Sequence, residues 1–293
     1  MSTTETIETT DNTDTDTDAD TDTDTDADAN ADADADAGPV DPFAPFRLDG
    51  QVAIVTGASV GLGRRFARVL HAAGATVVVA ARREELLTDL ADELGERIVA
   101  VRADIAEAAD CRNLVDRAVE AGGRLDVLVN NAGISKIAPA ESEDFDTFRH
   151  VVDVNLNALF HLCQLSFQPM VDSGGGAIVN ISSMLGLVAA TPVKQASYCA
   201  SKGAVVNLTR ELGAQWARKG VRVNAIAPGW FRSEMTDVMW GDKASESYVR
   251  RGAPLGREGA EHELDGALLF LASDASTYVV GQTLAVDGGW TCV

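Results

Sequence analysis

Basic residues are missing from the first 46 positions, which contain no lysine or arginine but carry thirteen aspartates and two glutamates. The remainder has 30 acidic against 24 basic residues, so this first segment supplies most of the net charge of −21. Binding of nucleic acid requires a basic face that neutralises phosphates. The composition therefore argues against a nucleic-acid partner.

Long hydrophobic runs and organised cysteines are also missing. The longest apolar stretches have the length of a β-strand, and none approaches a signal peptide or the roughly 20 apolar residues of a membrane span. The four histidines show no paired spacing, and the cysteines, Cys111, Cys163, Cys199 and Cys292, show no ligand spacing. The sequence predicts a cytoplasmic protein with reduced thiols, no membrane association and no metal site.

Residues 1–46 consist largely of Thr-Asp and Ala-Asp dipeptides. Such a segment buries little and repels itself, so a disordered tail is predicted, with docking to a basic partner as the less favoured alternative to a purely solvating role. Prolines and a glycine near positions 38–45 mark a linker. The remaining residues, 47–293, suit one large catalytic domain.

Short β-branched runs alternate with helical patterns through this domain. Because the predicted strands are almost continuously apolar, they indicate a parallel sheet covered on both faces. The fold class is therefore α/β, a single Rossmann-type doubly wound domain with a seven-stranded parallel sheet. Strands are predicted at 52–55, 76–81, 98–101, 127–129, 177–181, 222–226 and 283–286, and helices at 62–73, 84–94, 106–121, 145–171, 197–219, 236–250 and 261–271.

A glycine-rich segment joins the first strand to the first helix and reads Thr56-Gly57-Ala58-Ser59-Val60-Gly61-Leu62-Gly63. Glycines allow a tight turn and a close approach of the backbone to a pyrophosphate, and the helix N-terminus offers free N–H groups. This context favours a dinucleotide site over a turn without a ligand.

The end of the second strand bears on which dinucleotide is bound. Binders of NAD usually place an acidic residue there, whereas this chain has Arg82 and Arg83, whose guanidinium groups can pair with a 2′-phosphate. NADP is therefore the preferred cofactor and NAD the alternative. Two points argue against a preference for NADP. The arginines can also be interpreted as the exposed start of the next helix, and Val60 in the glycine loop is apolar and so provides no second basic contact to the phosphate.

Tyr198 and Lys202 are four residues apart on a predicted helix and thus share a face. A phenol ordinarily titrates near pKa ~10, and a neighbouring ammonium favours the phenolate and lowers that pKa. Such a tyrosine can exchange a proton with a carbonyl or alcohol oxygen. By itself, however, the spacing is also that of a common surface pair.

Further motifs follow the glycine-rich segment in chain order, namely Asn130-Asn-Ala-Gly133, Asn155, Ser183, Tyr198-Cys-Ala-Ser-Lys202 and Pro228-Gly229. Together these motifs resemble the short-chain dehydrogenase/reductase family, in particular its 3-oxoacyl reductase and glucose dehydrogenase-like group. The resemblance covers about Leu48 to the C-terminus. It implies a homotetramer that transfers a hydride between a nicotinamide cofactor and a small carbonyl or alcohol substrate.

The resemblance implies catalytic roles for four residues. Ser183 would bind the substrate oxygen, Tyr198 would exchange its proton, Lys202 would tune Tyr198 and bind the ribose, and Asn155 would bend its helix and position water beside Lys202. Ser182 and Asn157 are the alternatives to Ser183 and Asn155. The interval from Ser183 to Tyr198 is slightly long for the family, which suggests a lengthened loop at 191–194.

Cofactor contacts are implied along the same cleft. Asp104 resembles the acid that contacts adenine, although capping of the next helix is an equal alternative, and Ser233 stands near the position where the family often has threonine. The implied cofactor residues are Gly57, Ser59, Val60, Gly61, Leu62, Gly63, Arg82, Arg83, Asp104, Ile105, Asn131, Ala132, Gly133, Tyr198, Lys202, Pro228, Gly229 and Ser233.

The segment after Gly229 is rich in large apolar residues, from Trp230 to Trp240. It is interpreted either as a lid over a bulky substrate or as a helix that packs on the core. The expected function is ketone–alcohol interconversion, with reduction of a 3-oxoacyl thioester as a specific alternative. A non-catalytic NADP-binding redox sensor is the alternative from a different class.

Overall fold

The computed structural model describes residues 40–293, within which one compact unit spans Phe43–Val293. The predicted disordered tail lies outside the described residues except for positions 40–46, where a 3-10 turn forms at Ala44–Phe46. The boundary between tail and catalytic domain stays a prediction.

In the described part of the chain, seven parallel strands form one sheet in the order β3-β2-β1-β4-β5-β6-β7. β1 and β4 are completely buried, as expected for strands covered by helices on both faces. The predicted doubly wound sheet is thereby confirmed. The strands are β1 (Val52–Thr56), β2 (Thr76–Ala81), β3 (Ile98–Arg102), β4 (Val127–Asn130), β5 (Gly176–Ile181), β6 (Val221–Pro228) and β7 (Thr283–Val286).

Within residues 40–293, eight α-helices surround the sheet, which divides the core into two apolar layers. One layer packs α3, α5 and α6 against the sheet, and the other packs α1, α2 and α8. None of the helices described between residues 40 and 293 is long and apolar enough to cross a membrane. The helices are α1 (Gly61–Ala72), α2 (Glu84–Leu94), α3 (Ala108–Gly122), α4 (Phe145–Val152), α5 (Ala158–Asp172), α6 (Ala196–Trp216), α7 (Lys243–Gly252) and α8 (Asp265–Ala272).

The predicted continuous helix at 145–171 is interrupted. A π-helical turn at Asp153–Asn157 separates α4 from α5, and the Ala158 N–H donates to the carbonyl of Asp153, five residues earlier. One extra residue therefore enters the helix at this point, within the turn that contains Asn155. π turns of this kind occur frequently at functional sites.

The predicted helix at 236–250 is wrong in its first half. A short 3-10 turn occupies Asp237–Met239, and α7 begins only after Asp242, whose carboxylate accepts the Ser245 N–H at 2.8 Å. Gly241, with φ +88°, separates the two segments because this left-handed conformation ends helical geometry. The chain after β6 is thus a loop and a turn leading into a short helix.

Candidate active site

A cleft of about 760 Å³ opens at the carboxyl ends of the strands, where the strand order reverses between β1 and β4. Ligands of open parallel sheets bind at this kind of switch point, and the volume lies within the usual range for ligand sites. Every residue expected to contact the cofactor lines the cleft. Ser183 lines it as well, whereas Asn155 lies beneath its surface.

The glycine-rich loop has the geometry of a phosphate cradle. Gly57 has φ +67°, and a Cβ on Gly63 would lie 2.3 Å from the Gly57 carbonyl oxygen, so a side chain is excluded there. Helix α1 begins at Gly61 with no acidic residue in its first turn. Its free N–H groups and positive dipole end therefore face the cleft without a competing carboxylate.

Hydrogen bonds fix this loop against the end of β4. The Asn131 side chain donates to the Thr56 carbonyl at 2.9 Å, and the Thr56 hydroxyl accepts the N–H groups of Asn131 and Ala132 at 3.0 and 3.1 Å. These contacts join the segments that follow two adjacent strands. The floor of the cleft is consequently held by the sheet itself.

Arg82 and Arg83 both line the cleft at the end of β2, as expected. The Arg83 guanidinium donates to the Ser59 hydroxyl at 3.1 Å and forms a bidentate ion pair with Glu234, with two N–O distances of 2.9 Å. Glu234 was not anticipated from the sequence. No local pattern links it to Arg83, from which it is 151 positions away.

Asp104 lines the cleft but does not cap the following helix, so the capping alternative is wrong. Helix α3 begins at Ala108, and its N-cap position is Glu107. The Asp104 carboxylate instead accepts the Ala106 N–H at 3.1 Å in the loop after β3. Asp104 therefore precedes the helix and remains available to a ligand in the cleft.

Tyr198 and Lys202 lie on one face of α6, as their spacing indicated, but they are buried. Tyr198 is 8% exposed and Lys202 is 3% exposed. The Lys202 Nζ lies 5.8 Å from the centroid of the Tyr198 ring and donates to the Ile181 carbonyl at 2.7 Å. An ordinary surface pair is thereby excluded, because both side chains face the interior at the cleft.

Ser183 and Ser182 have different partners. The Ser182 hydroxyl donates to the Lys202 carbonyl at 2.9 Å, which ties the end of β5 to α6. The Ser183 hydroxyl accepts the Leu185 N–H at 3.1 Å, and its own proton remains available for a ligand or for Tyr198. This arrangement supports Ser183 as the residue that contacts substrate.

Asn155 occupies the π turn and is held by three hydrogen bonds. Its side-chain Oδ1 accepts the Ile134 N–H at 2.8 Å. Its side-chain Nδ2 donates to the Ile134 carbonyl at 2.9 Å and to the Ser201 hydroxyl at 3.0 Å. Asn157, the alternative, is exposed and donates to Asp153. A Cβ added to Gly133 would lie 3.2 Å from the Asn155 Oδ1 and 3.5 Å from the Lys202 Nζ, so this glycine leaves room between the two groups.

Comparison with known proteins agrees with this geometry. A family model described as Enoyl-(Acyl carrier protein) reductase matches residues 57–291. The galactitol 2-dehydrogenase (L-tagatose-forming) of Cereibacter sphaeroides is 42% identical over 248 residues, which cover 84% of this chain and 97% of that protein. The chain belongs to the short-chain dehydrogenase/reductase family.

Further members of the family show the same relationship. The 3-oxoacyl-(acyl-carrier-protein) reductase of Rickettsia conorii is 38% identical over 249 residues, 84% of this chain and 99% of that protein. A gluconate 5-dehydrogenase from Burkholderia cenocepacia, solved in complex with NADP and tartrate, superposes with a TM-score of 0.81 at 40% identity. That match covers 85% of this chain and 98% of the other.

The pKa of Tyr198 is shifted in the direction opposite to the one expected from the sequence. Burial raises the pKa of Tyr198 above its ordinary value of 10.0, and the nearby Ser183 hydroxyl opposes this only in part. Burial also lowers the pKa of Lys202 from 10.5 to about 8. The predicted lowering of the tyrosine pKa is therefore wrong, because desolvation of the phenolate outweighs the hydrogen bond from Ser183.

Three aromatic side chains pack together in the apolar cluster that contains Tyr198. Trp230, Tyr248 and Trp290 meet edge to face with centroid distances of 5.2–6.2 Å, and Trp230 and Tyr198 belong to the same apolar cluster. The Tyr248 hydroxyl donates to the Thr191 carbonyl at 2.9 Å, in the loop expected to be lengthened.

The segment after Gly229 is interpreted from the sequence either as a lid over the cleft or as a helix packed on the core, and different residues of it fit each interpretation. Trp230 is buried, 7% exposed, and packs beside the site, whereas Met235 is 41% exposed and lines the cleft. His150 and Thr236 also line the cleft and were not anticipated. Among residues 40–293, no cluster of histidine, cysteine or acidic side chains could bind a metal ion.

Proposed function

We propose that this protein interconverts a ketone and a secondary alcohol by reversible hydride transfer with a nicotinamide cofactor. The observation that supports it most is that Tyr198, Lys202 and Ser183 converge on a cleft whose other end is a glycine-rich phosphate cradle. The residues fit a dinucleotide, because the Gly57–Gly63 approach leaves no room for a side chain and the α1 N-terminus faces the cleft.

When bound, the nicotinamide supplies or accepts the hydride at its C4 carbon, and the chain supplies binding, orientation and proton transfer. Ser183 donates a hydrogen bond to the substrate oxygen. Tyr198 donates its phenolic proton to that oxygen in reduction and removes it in oxidation. The raised pKa of Tyr198 keeps the phenol protonated at neutral pH, which suits the reductive direction.

Lys202 and Asn155 assist the proton transfer by Tyr198. The buried ammonium near the phenol favours the phenolate when the proton leaves, and it faces the region expected to receive the ribose. The amide of Asn155 is fixed by Ile134 and Ser201, and its Oδ1 adjoins the same space at Gly133 as the lysine. We assign Asn155 the role of positioning a proton relay to Lys202.

NADP is the cofactor that we propose as preferred, because Arg82 and Arg83 line the cleft at the end of β2 where an acidic residue would favour NAD. The NADP complex of the gluconate 5-dehydrogenase supports this assignment by similarity. We also propose a homotetramer in a reducing, cytoplasmic environment. Family resemblance supports the tetramer, and the four free cysteines support the environment.

The decisive experiment follows NADPH and NADH absorbance in both directions against polyols, sugar acids and a 3-oxoacyl thioester, classes suggested by the relatives' names. Tyr198→Phe should lower kcat by about 10²–10⁴-fold while nucleotide binding is unchanged. Tyr278→Phe is the matched control, since Tyr278 is fully exposed. Undiminished turnover in Tyr198→Phe would refute the mechanism, and tight NADPH binding without turnover of any substrate would indicate a sensor.

A further inference from the structure

The ion pair between Arg83 and Glu234 joins two parts of the cleft that are distant in sequence. Arg83 follows β2, in the region expected to receive the adenine ribose, and Glu234 belongs to the loop after β6. Both terminal nitrogens of the guanidinium donate to the carboxylate at 2.9 Å, and one of them also donates to Ser59 at 3.1 Å. A single guanidinium thus connects the glycine-rich loop, the end of β2 and the loop after β6.

The donors used by Glu234 are those that a 2′-phosphate would need. A guanidinium binds a carboxylate or a phosphate through the same planar pair of N–H groups, so full bidentate contact with one excludes full contact with the other. A phosphate dianion beside an ionised carboxylate is also repelled electrostatically. The Arg83 hydrogen bonds lower the pKa of Glu234, so the carboxylate is charged at neutral pH.

The ion pair between Arg83 and Glu234 is exposed enough for a phosphate to replace the carboxylate. The side chains of Arg83 and Glu234 are 43% and 56% exposed, and such ion pairs contribute roughly 0.2–1 kcal/mol. A bound cofactor can therefore displace the carboxylate. Arg82, which also lines the cleft, has no ion pair within the described part of the chain and offers a second cation that Glu234 does not occupy.

We propose that Glu234 is a cofactor-specificity residue, which competes with the 2′-phosphate for Arg83 and so narrows the preference for NADP over NAD. This inference rests on the proposed function, because it requires a nicotinamide dinucleotide in this cleft. NAD carries a hydroxyl at the same position and leaves the ion pair in place. NADP gains the Arg83 contact only after Glu234 has moved away.

The test compares Kd values of NADP⁺ and NAD⁺ by isothermal titration calorimetry for the wild type and Glu234→Gln. The amide keeps the shape of the side chain and removes its charge. The variant should bind NADP⁺ about two- to fivefold more tightly, with NAD⁺ affinity unchanged. The same selective gain should appear for adenosine 2′,5′-bisphosphate over 5′-AMP, which isolates the phosphate.

Glu258→Gln is the matched control. Glu258 forms an ion pair with Arg232 at 2.9 Å near the same loop, but neither residue lines the cofactor cleft. Its substitution removes one negative charge and should leave the ratio of the two affinities unchanged. A comparable gain in this control would show a general charge effect and overturn the role of Glu234.

A double substitution separates competition from other effects. In an Arg83→Gln background, Glu234→Gln should no longer change NADP⁺ affinity, because the contested guanidinium is gone. Equal gains for both nucleotides, no gain, or weaker NADP⁺ binding in Glu234→Gln would each overturn the inference while leaving the proposed function intact. Failure of the wild type to bind either nucleotide would instead overturn the proposed function.

Discussion

Substituting Lys202 by methionine is expected to make the protein more stable at neutral pH, although it removes a residue placed in the active site. The side chain is 3% exposed, and burial lowers its pKa from 10.5 to about 8. At about 1.36 kcal/mol per pKa unit, this difference corresponds to a cost of about 3 kcal/mol for keeping the ammonium charged in the folded state. Loss of the hydrogen bond to Ile181 offsets about 1 kcal/mol of the gain.

The net stabilisation of about 2 kcal/mol should raise Tm by about 4–8 °C in the absence of cofactor. The gain depends on pH with a defined sign. Below pH 8 the lysine is charged in both states and the wild type bears the full cost. Between pH 8 and 10.5 the unfolded chain binds more protons than the native state, so wild-type stability rises relative to the variant and the gap closes.

Thermal unfolding followed by circular dichroism from pH 6.5 to 10 measures this gap. Lys136→Met is the control, because Lys136 is exposed on a neighbouring loop, and its effect should stay within about 0.5 kcal/mol. A Lys202→Met variant that is less stable than the wild type at pH 7, or a gap that does not change with pH, would refute the argument that burial of this charge opposes folding.

Two matched pairs of substitutions test the cleft further. Gly63→Ala should abolish nucleotide binding and lower Tm, because its Cβ would lie 2.3 Å from the Gly57 oxygen, whereas Gly266→Ala in α8 meets nothing within 4 Å and should be neutral or stabilising by up to about 1 kcal/mol. Calorimetric titration measures nucleotide binding and thermal melts measure Tm for both variants. Intact nucleotide binding by Gly63→Ala would contradict the assignment of the glycine-rich loop as the phosphate site. Ser183→Ala should lower kcat by about 10²-fold, whereas Ser182→Ala should chiefly lower Tm, since its hydroxyl bonds the α6 backbone. Steady-state kinetics with melts separates them, and equal kinetic losses would contradict the assignment.

The sheet was predictable because its information is local. β2 and β7 begin and end where the sequence indicated, since each is a short apolar run bounded by glycine or a turn. Their alternation with helical patterns then determines a parallel, doubly wound sheet, and ligands of such sheets bind at the carboxyl ends. The cofactor residues implied by the family resemblance all line this one cleft.

The helices that were mispredicted depend on backbone details. Apolar spacing continues through 145–171, so periodicity does not reveal the extra residue of the π turn at Asp153–Asn157. In the stretch 236–250, the apolar residues suggested a helix that Gly241 interrupts. A glycine followed by Asp242 and, three residues later, Ser245 is a recognisable stop and N-cap, and it was the available signal.

Within the site, the sequence predicted how residues close in the chain are arranged, but it did not predict contacts between residues that are distant in the chain. The Tyr198–Lys202 spacing follows from helix geometry, but the net direction of the tyrosine pKa depends on burial, which requires the packed structure. The contact between Arg83 and Glu234 joins the ends of two different strands. Only the assembled sheet shows that these residues meet.

The π turn also restricts the length of the chain. Each residue of a regular helix adds a rotation of about 100° and a rise of about 1.5 Å. Deletion or insertion of one residue between Val151 and Ala158 would therefore turn the Asn155 amide away from the Ile134 backbone while α4 or α5 kept its own packing. Substitutions of the exposed Asp153 or Asn157 side chains are expected to leave that geometry unchanged, because these two side chains bond to each other and not to Asn155 or Ile134. At this point of the fold the number of residues is more tightly constrained than their types.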